Sequence, residues 1–206
     1  MTMKTRFRGY LPVVVDLETG GFDNAVHSLL EIAAVTLDFE DQRLVVRDRH
    51  RWAVSPHPDT IVEEASLKVT GIDLNDPIRG AVSELEAVRG LFRVVRAEVR
   101  RQGCHRAIVT AHNAHFDHGF IHAAATRSGV KRSPFHPFSV VDTVALAAVH
   151  YGHTVLSESC GRAGIDYDAD RAHSATYDAD VTAELFCAVV NAAARPVGRG
   201  VPLRAR

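Results

Sequence analysis

The segment "VVVDLETGGF", Val13 to Phe22, limits the fold more than any other stretch of the chain. A run of apolar residues ends in Asp16 and Glu18, two carboxylates with one residue between them. Alternate side chains on a strand share a face, so a strand here projects both acids together from its end. Buried acids are costly unless something pairs with them. Two acids this close repel each other and raise one pKa unless a cation neutralises them. A pair at a strand end facing solvent is the plain alternative, so the rest of the chain has to decide.

The surrounding pattern is that of an α/β protein. "LPVVVDLE", "LLEIAAVTLDFE" (Leu29 to Glu40) and "VVRDRHRWAV" read as three successive strands. A short helical pattern runs from Thr60 to Val69 and is stopped by Gly71. From Ala81 to Gln102, Leu85, Val88, Phe92, Val95 and Val99 recur at spacings of three and four, which predicts a long amphipathic helix ended by Gly103. "RAIVTAHN" reads as a fourth strand, "HFDHGFIHAAATRSG" as a helix, and "FSVVDT" as a fifth strand running into a helix near Thr143. "SESCGRAG" reads as another helix. "SATYDADVTAELFCAVVNAAA" predicts a final one, with Phe186, Val190 and Ala193 on one face. Strands followed by alternating strands and helices give a mixed sheet with helices packed on it. The 206 residues fit one domain, expected over 1–195, with 196–206 as a frayed Pro-, Gly- and Arg-rich tail.

Charge is balanced in sum, 24 Lys+Arg against 25 Asp+Glu, but not in distribution. Lys4, Arg6 and Arg8 precede the first strand without an acid. Arg89, Arg93, Arg96, Arg100, Arg101 and Arg106 face Glu98 alone, and Arg127, Lys131 and Arg132 form a further group. Basic patches beside an acid cluster fit a protein that holds a polyanion while keeping cations in a site. Solvated arginine faces are the competing explanation. Cys104, Cys160 and Cys187 are scattered and odd in number, which argues against a disulfide framework and fits a reducing cytoplasm. Leu11 to Val15 is too short for a signal-peptide core, and no run approaches a membrane span, so no membrane partner is expected.

Two later segments supply partners for the first pair of acids. In "HNAHFDHGF", Asp117 follows a strand and opens a helix. In "HSATYDAD", His173 precedes the final helix and Asp178 lies on its first turns, while Asp180, two residues on, faces elsewhere. Each acid alone also suits a helix N-terminus, where the macrodipole favours it. Together, four carboxylates are hard oxygen ligands that select Mg²⁺ or Mn²⁺. Two such ions about 4 Å apart serve both oxygens of an in-line phosphoryl displacement. Histidine ordinarily titrates near neutral pH, so His173 is a candidate base for the attacking water. His112, His115, His118 and His122 are a rival cluster for zinc, but only His118 and His122 are spaced to share a helix face.

"DLE" (Asp16, Glu18), "NAHFD" (Asn113, Phe116, Asp117) and "HSATYD" (His173, Asp178) resemble the three motifs of the DEDDh 3'–5' exonucleases. Within them, "RFRGYLPVVVDLETGGF", "GIDLNDPIRGAVSE", "GCHRAIVTAHNAHFDHGF" and "AHSATYDADVTAELFC" resemble the ribonuclease T family, and the likeness runs from Arg6 to about Asn191. The resemblance implies a ribonuclease H-like fold, a mixed five-stranded sheet flanked by helices. It implies two Mg²⁺ ions on Asp16, Glu18, Asp117 and Asp178, with His173 as general base. The substrates it implies are RNAs with a single-stranded 3' end, such as tRNA, and single-stranded DNA, trimmed by a homodimer. Phe22, Phe116 and Phe138 match stacking positions, and Arg6, Arg8, Arg100, Arg106, Lys131 and Arg132 match the substrate-binding patch. The family has a phenylalanine where this chain has Val69 and a glutamate where it has Ala65, with Glu64 adjacent. That departure implies weaker discrimination at the 3' base. Gly20 and Gly21 permit close backbone approach and are candidates to meet the 3'-OH, or a simple turn. A proofreading or oligonucleotide exonuclease of the same superfamily, or a non-catalytic RNA-binding protein, are the alternatives.

Overall fold

The computed structural model of the chain describes residues 1–193; the expected tail 196–206 lies outside the described residues. Five strands form one sheet: β1 (Tyr10–Thr19), β2 (Leu29–Glu40), β3 (Arg43–Ala53), β4 (Arg106–Ala111) and β5 (Phe135–Asp142). Their order is β3-β2-β1-β4-β5. The β1–β2 and β2–β3 pairings are antiparallel; β1–β4 and β4–β5 are parallel. Consecutive buried residues from Leu11 to Val15 mean that both faces of β1 are covered, as befits the central strand.

Among the described residues seven α-helices surround the sheet: α1 (Met3–Arg6), α2 (Glu64–Thr70), α3 (Glu84–Arg101), α4 (Ala114–Arg127), α5 (Thr143–Tyr151), α6 (Leu156–Ala163) and α7 (Ala175–Ala193). Helix α7 crosses β1, β2 and β3, while α3 and α4 pack together and against the sheet. The apolar stripe of α3 buries Val88, Leu91, Phe92 and Val95 in the main core. A smaller core joins α5, α6 and α7 through Ala147, Cys160, Tyr177, Val181 and Leu185. All three cysteines are free. Among the described residues no helix is long and apolar enough to cross a membrane.

Several boundaries differ from the sequence reading, each for a tertiary reason. Helix α3 begins only after Ser83, whose hydroxyl and Glu86 form a reciprocal capping box. Val82 instead pairs with Val54 as an extension of the sheet. Helix α2 is shorter than Thr60 to Val69, because Ile61 is held extended against His27. Strand β5 starts at Phe135 and bulges before Val140. Ala193 is exposed rather than on the buried face of α7, whereas Phe186 and Val190 are buried.

Candidate active site

The antiparallel register places Glu18 opposite Glu31 on β2, with Asp16 two residues back on the same face. Helix α7 then carries Asp178 over this strand end. Asp16, Glu18 and Asp178 each offer an oxygen within 4.8 Å of the others, and among the described residues this is the one group of three with metal-ligand spacing. Asp117, on the first turn of α4, is buried beside them. It is not part of that trio, yet it is near enough for its charge to act on Asp16.

Among the described residues no side-chain cation pairs with these acids: none of the ion pairs involves Asp16, Glu18, Asp117 or Asp178. Burial, then Asp117, Glu18, Asp178 and Glu31, push Asp16 well above the usual carboxylate range. Burial, with Asp178 and Glu31 behind it, lifts Glu18 to about 8. Burial also raises Asp117 and Asp178, and the His173 amide opposes the shift at Asp178. One oxygen of Asp178, Oδ1, is buried with no hydrogen-bond partner. Mutually repelling hard oxygens with an orphaned acceptor among them fit a divalent cation.

His173 stands at the mouth of the site. It is exposed, with a left-handed φ of 62°, and its backbone N–H donates to Asp178 Oδ2 at 2.9 Å. That conformation is uncommon for a residue with a side chain and is held here by the Asp178 carboxylate. His173 shares a cavity of about 320 Å³ with Glu18, Phe22, Glu63, Val69 and Phe116. Phe22 is 86% exposed, its ring 6.4 Å from that of Phe116. Phe138 does not line this cavity; it stands exposed on the β5 bulge, edge-on to His136.

Two expectations are corrected. Glu64 points to Lys68 at 2.7 Å and is absent from the cavity wall, where Glu63 stands instead, 3.1 Å from His27 Nε2. The Gly20 N–H already donates to Ser28 O at 2.8 Å, so it is not free for a 3'-OH. The two glycines answer to packing: a Cβ on Gly21 would lie 2.3 Å from the His27 ring, and one on Gly20 would crowd Ile61 and Val62. The histidine cluster does not converge, since His112 bonds to Thr143 and Thr154 while His118 bonds to the His136 carbonyl. Asp180, given no role, pairs with Arg49 at 2.6 Å.

Sequence reasoning missed Glu31, Glu63 and Asp142. Asp142 accepts from the amides of Asn113 and Ala114 and from Val144, so one carboxylate fixes the starts of both α4 and α5. An Asp directly before a helix was the available signal; its reach across to α4 was not.

The basic residues lie elsewhere. Tyr10, under the Arg8 guanidinium, pairs with Arg106 at the start of β1 and β4. Arg106 and Arg132 line a second cleft of about 240 Å³. Arg96 donates to the Arg132 carbonyl at 2.7 Å, tying α3 to the Lys131–Arg132 turn. Asp16 lies six positions along β1 from Tyr10, roughly 20 Å.

A family model described as "RNase_T: Exonuclease" matches residues 13–186. The chain is 52% identical over 187 residues to the ribonuclease T of Hahella chejuensis, covering 90% of this chain and 86% of that one. It is 51% identical to the ribonuclease T of Escherichia coli K12, with 90% and 87% covered. A full-length 3'-exonuclease crystal structure superposes with a TM-score of 0.70 at 17% identity, covering 89% of this chain and 84% of that one. E. coli exonuclease I bound to a dT13 oligonucleotide superposes with a TM-score of 0.67 at 16% identity over 87% of this chain. The chain spans only 41% of exonuclease I.

Proposed function

The chain belongs to the RNase_T exonuclease family, and we propose that it is a metal-dependent 3'–5' exoribonuclease. In this reading it trims the single-stranded 3' ends of structured RNAs such as tRNA, acts also on single-stranded DNA, and releases 5'-mononucleotides. One observation carries it: a largely buried set of carboxylates without a partner cation opens into a cavity walled by the edge-on rings of Phe22 and Phe116. Aromatic faces hold unpaired bases by stacking, worth about 1–3 kcal/mol each.

Asp16, Glu18, Asp117 and Asp178 would hold two Mg²⁺ ions, with Mn²⁺ an acceptable substitute. Bound there, the ions would balance the carboxylate charge and stabilise the oxygens of an in-line displacement. His173 takes the proton of the attacking water. Its exposed imidazole and its backbone bond to Asp178, on the first turn of α7, support a base held beside a metal ligand. Phe22 and Phe116 fix the terminal base, so that the phosphodiester to be cut meets the acids rather than sliding past. Val69 and Ala65 leave that part of the cavity wall short, with Glu63 beside them on the wall, which supports weaker discrimination among 3' bases.

Arg6, Arg8, Arg100, Arg106, Lys131 and Arg132 bind backbone phosphate in this reading, and Phe138 stacks on a base upstream. The separation of Arg8 and Arg106 from the acids supports a homodimer in which one copy's patch feeds the other's site. Three free thiols support a cytoplasmic location.

The test is incubation of a 3'-overhanging RNA, a blunt duplex and a single-stranded DNA with Mg²⁺ or with EDTA. Mononucleotide release from the two unpaired ends, with Mg²⁺ only, is expected; its absence rejects the reading. A gel-filtration mass near the 22.5 kDa of one chain rejects the dimer.

A further inference from the structure

We propose that the outer face of α3 is a docking track for the double-helical stem of a structured RNA, gripped by Arg89, Arg93, Arg96 and Arg100. The proposal rests on the exonuclease reading in one respect only: it is the stem behind a trimmed 3' end that would lie there.

The four arginines follow one another at spacings of four, three and four, so they share a single face of the helix. Eleven residues at 1.5 Å each make a stripe of roughly 16 Å. Between them the four line a shallow groove of about 300 Å³ to which no other residue contributes. The stripe is set apart by its missing counter-charge. Arg101, one residue past its end, is held by Glu98 and Asp38, and Arg127 is held by Glu84. Among the described residues, Arg89, Arg93, Arg96 and Arg100 take part in no ion pair. Ordinary surface charges on a nearly neutral chain mix signs; here, across Arg89 to Gln102, four unpaired arginines form a row of one sign, and the single acid, Glu98, is taken up by Arg101.

The chemistry of the groove selects among polyanions. Single strands are held by basic grooves interleaved with aromatic platforms. This groove has guanidinium groups alone, and Phe92 beneath Arg96 is fully buried. Duplex RNA is recognised by backbone shape and phosphate rather than by base stacking. A row of arginines roughly 16 Å long is long enough to meet several successive phosphates of one strand of a duplex. Arg96 also joins the stripe to the Lys131–Arg132 turn through its bonds to both carbonyls, so the stripe continues into the basic cleft beside Arg106.

The experiment compares Arg89→Glu/Arg93→Glu with the unaltered chain; both positions are exposed, and neither belongs to the cleft or the cavity. Affinity is measured in EDTA, across a salt series, for a hairpin RNA with a short 3' overhang and for a single strand ending in that overhang. The variant is expected to bind the hairpin at least tenfold more weakly, with a salt slope smaller by about two, and to bind the single strand within twofold. Arg89→Lys/Arg93→Lys should restore most of the loss, and Arg89→Gln/Arg93→Gln serves if the Glu pair lowers the melting temperature. Equal losses on both RNAs, or less than a twofold loss on the hairpin, overturn the proposal. Failure of the unaltered chain to degrade the single strand with Mg²⁺ would instead sink the exonuclease reading, and the binding comparison would still decide the stripe.

Discussion

Glu84 and the Asp16–Glu18–Asp178 group are acids drawn into the fold, all buried but half-buried Asp16, and their charges are handled in opposite ways. Glu84, 2% exposed at the start of α3, receives Arg127 at 3.1 and 2.6 Å and the Ser128 hydroxyl at 3.0 Å. Its charge is consumed inside the fold, locking the start of α3 to the end of α4. Among the described residues the second group receives no side-chain cation, and its pKa values climb because of burial and mutual repulsion. A protein keeps such a cluster only where the missing charge comes from outside. Burial of an acid therefore says little about function; the absence of an internal partner says much.

The largest effects should break this contrast from both sides. Asp16→Asn should leave no measurable nucleotide release while the melting temperature stays the same or rises, since it removes one of several repelling charges. Glu84→Gln should do the reverse, costing about 3–5 kcal/mol of stability by stranding Arg127 with turnover retained below the melting transition. Denaturant melts beside a mononucleotide assay check both, and loss of fold in Asp16→Asn would show that its charge is structural. His173→Ala comes next, with a rate loss of roughly 10²–10⁴-fold and unchanged cation affinity by calorimetry. Weakened cation binding there would make His173 a ligand or a support for Asp178 rather than the base.

A smaller effect sharpens the comparison through pH. Folding raises Glu18 from 4.5 to about 8. The folded chain therefore holds a proton that the unfolded chain has released. This stability is fully present below the unfolded pKa and is lost as pH rises through about 8. In EDTA, the melting temperature should fall between about pH 5 and pH 8, and Mg²⁺ should restore most of it at the upper end. A cation-free melting curve flat across that window would mean that the acids are not strained. The smallest effect is expected at the base pocket: Val69→Phe should increase the spread of rates among the four terminal nucleotides by a few-fold. An unchanged spread would remove Val69 from any role in base choice.

Local patterns were legible because they are local. The bounds of β2 follow from apolar run length, the buried face of α3 from its periodicity, and the three acid motifs from their positions at element ends. Glu31 and Glu63 escaped because nothing near them in sequence marks them. Glu31 becomes part of the site only through the register that sets it opposite Glu18. Glu63, rather than Glu64, faces the cavity because the extended Ile61 segment fixes the phase of α2.

The sequence by itself determined that two acids would leave the end of an apolar strand on one face, since strand alternation admits no other result. It also determined which residue types would converge in the motifs. Only the tertiary structure decided that Asp178 arrives over that strand end without a cation, that Asp117 stands slightly apart, and that Arg49 takes Asp180 out of contention. Those outcomes depend on how α7 crosses the sheet, a packing of residues more than 120 positions apart that no local pattern encodes.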